Sequence, residues 1–225
     1  MRSPVPDLSD PIAARGDDAQ RAPSARREGR CARLGLFLFD CSDPAALRAW
    51  IERVPRSVEP RLAEIVVMLD RPPEAPLPPP EEIVGDRPLA LRFHRPPRVS
   101  TPGEVRRAAF EYAITRPVDH VIVMHGTDAH PPEILEPLAK AIAEDPRRAV
   151  LVTRDRMGGS LAALRHRLLT AVQNRILGLR IRDYHTRLRA YPVAALRRIP
   201  FQLDADDALI DAELIIQLRC LGVPI

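Results

Sequence analysis

A three-layer α/β domain with a mostly parallel central sheet is the fold this sequence predicts. Short apolar runs alternate with helix-patterned stretches along most of the chain, the order of βαβ units. The runs at 34–39 and 64–69 lack the in-and-out polarity of a half-exposed strand, as strands covered on both faces do. The 225 residues, 45% of them apolar, supply one substantial core.

Leu34-Gly35-Leu36-Phe37-Leu38-Phe39 reads as the first buried strand. Asp43-Pro44 then opens a helix to about Arg53, with Asp43 as N-cap and Pro44 in the first helical position. Glu64 to Leu69 is the second strand, and the proline-dense stretch from Pro72 to Pro80 is a surface loop. Leu89 to Phe93 alternates as a third strand, and Gly103 to Ile114 has helical spacing. His120 to Met124 is the fourth strand, Pro132 to Glu144 a helix, and Ala149 to Thr153 the fifth strand. Ser160 to Leu177 is a long helix ended by Gly178, its stripe of Leu161, Leu164 and Leu168 expected in the core. Arg187 to Tyr191 is a short strand, and Val193–Arg198 and Ala208–Leu221 are helices.

Composition excludes several classes. No apolar run reaches the roughly 20 residues that span a bilayer. Cys31, Cys41 and Cys220 are odd in number and far apart, which suits neither a disulfide framework nor a cysteine zinc site. With no apolar core of a secretory signal near Met1, a cytoplasmic chain is expected. Residues 1–32 are polar, proline-bearing and poor in apolar side chains, and are expected to form a disordered leader to a domain over 33–225. The 34 basic residues face 30 acids, interspersed, and Lys140 is the single lysine. A nucleic-acid binder clusters basic charge with aromatics between, so no nucleic-acid partner is expected.

In an open α/β sheet the ligand lies beyond the carboxyl ends of the strands. Those segments read Asp40-Cys41-Ser42-Asp43, Asp70-Arg71-Pro72-Pro73 and His125-Gly126-Thr127-Asp128-Ala129-His130. None is a glycine-rich phosphate loop, which disfavours a dinucleotide-binding or P-loop site.

The segment Val121-Ile122-Val123-Met124-His125-Gly126-Thr127-Asp128-Ala129-His130-Pro131-Pro132-Glu133 resembles the family-2 glycosyltransferases of GT-A fold, near the polyprenyl-phosphate sugar synthases. There a strand ends in Asp-x-Asp, or His-Gly-Asp in a bacterial subgroup, often before Gln-His-Pro-Pro-Glu. Gln173 to Gly178, Asp183-Tyr184-His185-Thr186-Arg187-Leu188-Arg189-Ala190-Tyr191, Asp211-Ala212-Glu213-Leu214 and Leu221 to Ile225 resemble later motifs of the same family in the same order. The donor-site motifs are degenerate: Thr127 stands where the metal-binding Asp is usual, and Asp70-Arg71-Pro72-Pro73 where Asp-Asp-Gly-Ser is.

The resemblance implies a GT-A-like (Rossmann-like) domain that moves a sugar from a nucleotide-sugar to a lipid-phosphate or saccharide acceptor, such as a polyprenyl phosphate, by inverting displacement. It implies Asp40 and Asp70 near the nucleoside, and Asp128 and His125 near a divalent cation, Mg or Mn. It puts Arg154 and Arg189 on phosphate, Arg107 and His185 among the donor contacts, and Asp211 or Glu213 as the acceptor-side acid. Hard carboxylate oxygens hold such a cation, and guanidinium can take over part of its charge. Asp211 and Glu213 are two apart on a helix, so one of them at most faces the site. Peripheral contact at the inner membrane face goes with a lipid acceptor. The altered motifs also keep open a catalytically degenerate homologue that binds or scaffolds.

Overall fold

The computed structural model describes residues 31–225 apart from Ser42, 71–75, 98–100, 127–129, 154–160, His185 and Ala208. The expected leader falls outside the described residues up to residue 30, and so do Thr127, Asp128, Arg154 and His185.

Six strands make one sheet: β1 (Leu34–Phe39), β2 (Leu62–Met68), β3 (Leu91–His94), β4 (His120–His125), β5 (Val150–Val152) and β6 (Leu188–Pro192). Their spatial order is β3-β2-β1-β4-β6-β5. β1 pairs in parallel with β2 and β4, and β2 with β3. β6 lies antiparallel between β4 and β5, so it alone is reversed and the sheet is mostly parallel.

All six residues of β1 are buried, which is why its sequence shows no polar alternation. The two faces still separate by parity. Leu34, Leu36 and Leu38 join one core with α1 (Pro44–Glu52), α2 (Pro80–Val84) and α4 (Leu135–Glu144). Phe37 and Phe39 join the other with α3 (Pro102–Ile114), α6 (Val193–Leu196) and α7 (Ile210–Cys220). Burying each such side chain contributes about 1.5–3 kcal/mol.

Local signals account for the helix starts. The Asp43 side chain accepts from the Ala45 amide at 2.9 Å, and Pro44 follows at the first position. Thr101 and Glu104 close a reciprocal capping box on α3. α5 (Leu161–Leu177) ends before Gly178, whose φ of +63° is the left-handed turn the sequence predicts there.

Three expectations change. The proline-dense stretch ends in a helix, α2, because Pro80 sits at its first position, where no amide donor is needed. The helix expected from Pro132 begins as a 3-10 turn, Pro132–Ile134, before α4. Leu168, expected in the core, is 66% exposed. α5 is held along a different line, with Thr170 buried and Asn174 bonded to Ile181 and Tyr184.

Candidate functional site

The chain leaves β1 toward β2 on one side, and β4 lies on the other side of β1. That reversal of strand order opens a crevice past the carboxyl ends of both strands. A cavity of about 330 Å³ lies there. Phe39, Met68, Val105 and Pro102 give it apolar wall, and Asp40, Asp70, Arg106, His125, Thr186, Arg187 and Asp211 line the rest.

The register makes the first contacts. Phe39 pairs with His125 across β1 and β4, and their rings stack with centroids 4.9 Å apart. Asp40 follows at φ +57°, a left-handed conformation that Asp tolerates better than most residues. Its carboxylate lies 3.3 Å from His125 Nδ1. Arg106 of α3 donates to His125 Nε2 from Nε at 3.3 Å. Guanidinium only donates, so Nε2 accepts and the ring proton is assigned to Nδ1, facing Asp40. That hydrogen bond, helped by the charges of Arg187 and Arg106, holds the Asp40 carboxyl below its usual range against the opposing effect of burial.

The network continues. Arg106 Nη1 lies 3.1 Å from Asp211 Oδ2 as an ion pair without hydrogen-bond alignment. Arg189 Nη2 reaches the same oxygen at 3.3 Å. Asp40, His125, Arg106, Asp211 and Arg189 thus form one connected chain of polar side chains, with Arg106 and Arg189 themselves buried.

Of the residues singled out in the sequence, Asp40, Asp70, His125 and Asp211 line the cavity together. Arg107, Glu213 and Arg189 do not. Arg107 points one helical step away, donating to the carbonyls of Asp204 and Ala205 and pairing with Asp206. The Glu213 carboxylate accepts from the Ala205 amide at 2.6 Å, so of the two acids on α7 it is Asp211 that reaches the cavity. Arg189, expected on phosphate, is 2% exposed and spends its donors inside the fold. Among the described residues Arg106 and Arg187 are the cations of the cavity wall, and neither was singled out. A signal for Arg106 existed: with Ala109, Phe110 and Ala113 it occupies the buried stripe of α3, an unusual place for a charge.

The metal expectation fares differently. Both His125 nitrogens are engaged, and Nε2 faces a guanidinium, so no lone pair is presented to a cation. Among the described residues no three His, Cys, Asp or Glu side chains are grouped to hold a metal. The described residues thus supply no complete ligand set for a divalent cation, and Asp128, the expected ligand, is not among them.

No family model and no curated protein matches the sequence. Solved structures do match. Glucosyl-3-phosphoglycerate synthase from Mycobacterium tuberculosis, in complex with Mn2+, UDP-glucose and phosphoglyceric acid, superposes with a TM-score of 0.60. Identity is 16%, over 83% of this chain and 65% of that one. The UDP complex of the same enzyme gives 0.54 at 17% identity, over 83% and 65%. A structure described as a mycobacterial protein gives 0.58 at 17%, over 85% and 63%. This chain has the GT-A fold. It spans slightly under two thirds of the length of these neighbours. On this GT-A fold the cavity at the β1/β4 switch point is the crevice described above.

Proposed function

We propose that the chain is a glycosyltransferase that takes a nucleotide-sugar as donor. One observation carries the reading: on a GT-A fold, the switch-point cavity is lined by acids, cations and apolar wall, the three kinds of surface such a donor needs. Asp40 and Asp70 stand beside the ends of β1 and β2, where they would accept from the hydroxyl and N–H groups of a nucleoside lying on Phe39 and Met68. Arg106 and Arg187 would face the diphosphate. As the acceptor oxygen bonds to the anomeric carbon, the bond from that carbon to the β-phosphate oxygen breaks. The electron pair goes to the leaving nucleoside diphosphate. Guanidinium groups aimed at that growing charge lower the barrier. Attack opposite to departure inverts the anomeric centre.

Asp211, the acid of α7 that lines the cavity, is the acceptor-side carboxylate in this reading, and Glu213 is not needed. A phosphate-bearing acceptor, polyprenyl phosphate among them, arrives already ionised and needs no strong base. The neighbours' names speak of UDP-glucose and phosphoglyceric acid, and both compound classes belong in the first screen. A divalent cation would depend on Asp128 together with the diphosphate itself, and no step above is routed through it.

A second reading has its own support. Asp40, His125, Arg106 and Asp211 satisfy one another, as in a site kept for binding or shape. Calorimetry with UDP-, GDP- and dTDP-sugars, with and without Mn, separates the two. The transferase reading expects binding of one donor, slow release of its sugar, and at least a tenfold weaker Kd, roughly 1.4 kcal/mol, in Arg106→Ala. Binding without sugar release under any acceptor leaves the scaffold. Binding of none of the three overturns the donor site.

A further inference from the structure

The face of α5 turned away from the body of the domain is apolar and uncovered. Leu168, Leu169, Val172 and Ile176 are 66%, 52%, 48% and 75% exposed. At helical spacing they fall within a sector of about 100°. Thr170 and Asn174, which attach the helix, lie on the opposite side. Such a stripe on one helix exceeds the scattered exposed leucines of an ordinary surface.

Charge says what would cover it. From 161 to 182 the chain carries Arg165, Arg167, Arg175, Arg180 and Arg182 and no Asp or Glu. All five are exposed. Arg219 of α7 adds a sixth, donating to the Leu177 carbonyl at the end of α5 at 3.1 Å. The first acid after that stretch is Asp183, so α5 and the turn that follows carry charge of one sign. A second copy stacked on this face would bring the two arginine sets together. Four aliphatic side chains also fall short of the roughly 800 Å² per partner of a stable dimer. No Phe, Tyr or Trp occurs between 161 and 182 to stack on a base. Aliphatic side chains on one face, with arginine beside and beyond them, match the surface of an anionic bilayer.

We infer that α5 docks this chain on an anionic lipid surface, with Leu168, Leu169, Val172 and Ile176 inserted between headgroups and the arginines on lipid phosphate. The docked helix is tied to the cavity. Asn174 Oδ1 accepts from the Tyr184 hydroxyl at 2.9 Å, and Thr186 and Arg187, just beyond, line the cavity wall. A lipid-phosphate acceptor would then reach the site along the membrane plane, although the docking holds whether or not sugar is transferred.

Co-sedimentation of the full chain with vesicles tests this without any assay of activity. Vesicles about one-third phosphatidylglycerol in phosphatidylcholine should bind it, and phosphatidylcholine alone should not. The double variant Leu168→Glu/Ile176→Glu should lose binding by about tenfold or more with its Tm kept, since both side chains are exposed. Arg175→Glu/Arg182→Glu should weaken it too, and raising salt from about 0.1 M to about 0.5 M should lower wild-type binding. A wild-type chain that stays in solution with the anionic vesicles overturns the inference. So does full vesicle binding by the double leucine–isoleucine variant. If that variant instead converts a dimer to a monomer in sedimentation, or if oligonucleotide binds α5 where vesicles do not, another partner owns this face and the inference fails.

Discussion

Arg189 shows how one side chain can organise a site without touching it. Nε donates to the Thr186 carbonyl, Nη1 to the Tyr191 hydroxyl and the Asp211 carbonyl, and Nη2 to the Tyr184 carbonyl, with Asp211 Oδ2 beside it. A planar fork satisfies five acceptors at once, and lysine offers three donors from a single point. Arg189→Lys should therefore lower stability by roughly 2 kcal/mol in chemical denaturation, since buried acceptors lose their partners. It should also weaken donor binding, because Asp211 is then held by Arg106 alone. An unchanged denaturation midpoint would show that the fork is dispensable. The same residue marks what could be read from sequence at this scale. The segment Asp183–Tyr191, on which the resemblance drew, meets the cavity through Thr186 and Arg187. The resemblance could not tell which arginine of that segment is exposed and which is committed inward. In the strand expected over Arg187–Tyr191 the two arginines share a face, whereas in the structure Arg187 lies just before β6 and Arg189 within it.

The position of α3 decides the cavity at the scale of elements. The amide of Gly103 donates to the Asp206 carbonyl at 3.0 Å, and a Cβ on Gly103 would lie 2.5 Å from the Asp206 carbonyl carbon. The loop before α7 thus packs backbone against backbone on the start of α3, which only glycine allows. Gly103→Ala should push the two apart and carry Arg106 away from both Asp211 and His125. The expected result is a loss of donor affinity well beyond the accompanying fall in Tm, measured by calorimetry and thermal melting on the same preparation. Equal affinity at lower Tm would place the strain elsewhere. The helix itself was legible from Gly103 to Ile114, and the capping box explains its start at Pro102. Its phase was not. Arg106 and Arg107 differ by about 100° around the axis, and that turn decides between the cavity and the 204–206 loop.

At the scale of the whole molecule, buried ionisable groups set the response to pH. His120 at the start of β4 is 1% exposed, and burial pushes its pKa down to about 4. The unfolded chain then binds more protons than the folded one from about pH 6.5 down, so this group lowers stability as pH falls through that window. Asp204 runs the other way. Burial pushes its carboxyl up to about 6, with Glu213 nearby adding to it and Gln217 opposing it. A raised carboxylate lets the folded state bind the extra proton, so its effect lowers stability as pH rises from about 4 to 6. Asp204→Asn should remove that loss and raise stability at pH 7 by an amount of order 1 kcal/mol. It should also leave a steeper fall on acidification, set by His120. Melts at several pH values read both, and an unchanged profile in Asp204→Asn would exclude this carboxyl as a source of the pH dependence.

Strands, helix starts and the mostly parallel sheet follow from neighbours along the chain. Burial on two faces, a cap at Asp43 and a proline at the first helical position are properties of a few consecutive residues. The strand ends that meet the cavity were readable for the same reason, since Asp40, Asp70 and His125 come directly after or at the end of apolar runs. Assembly settled the remainder. The pairings of Asp40 with His125 and of Arg106 with Asp211 join residues tens of positions apart, and the inward commitment of Arg189 and the bare face of α5 depend on how the elements pack. Such contacts depend on where helices cross the sheet and how they are rotated on it, and no local pattern of residues encodes that geometry.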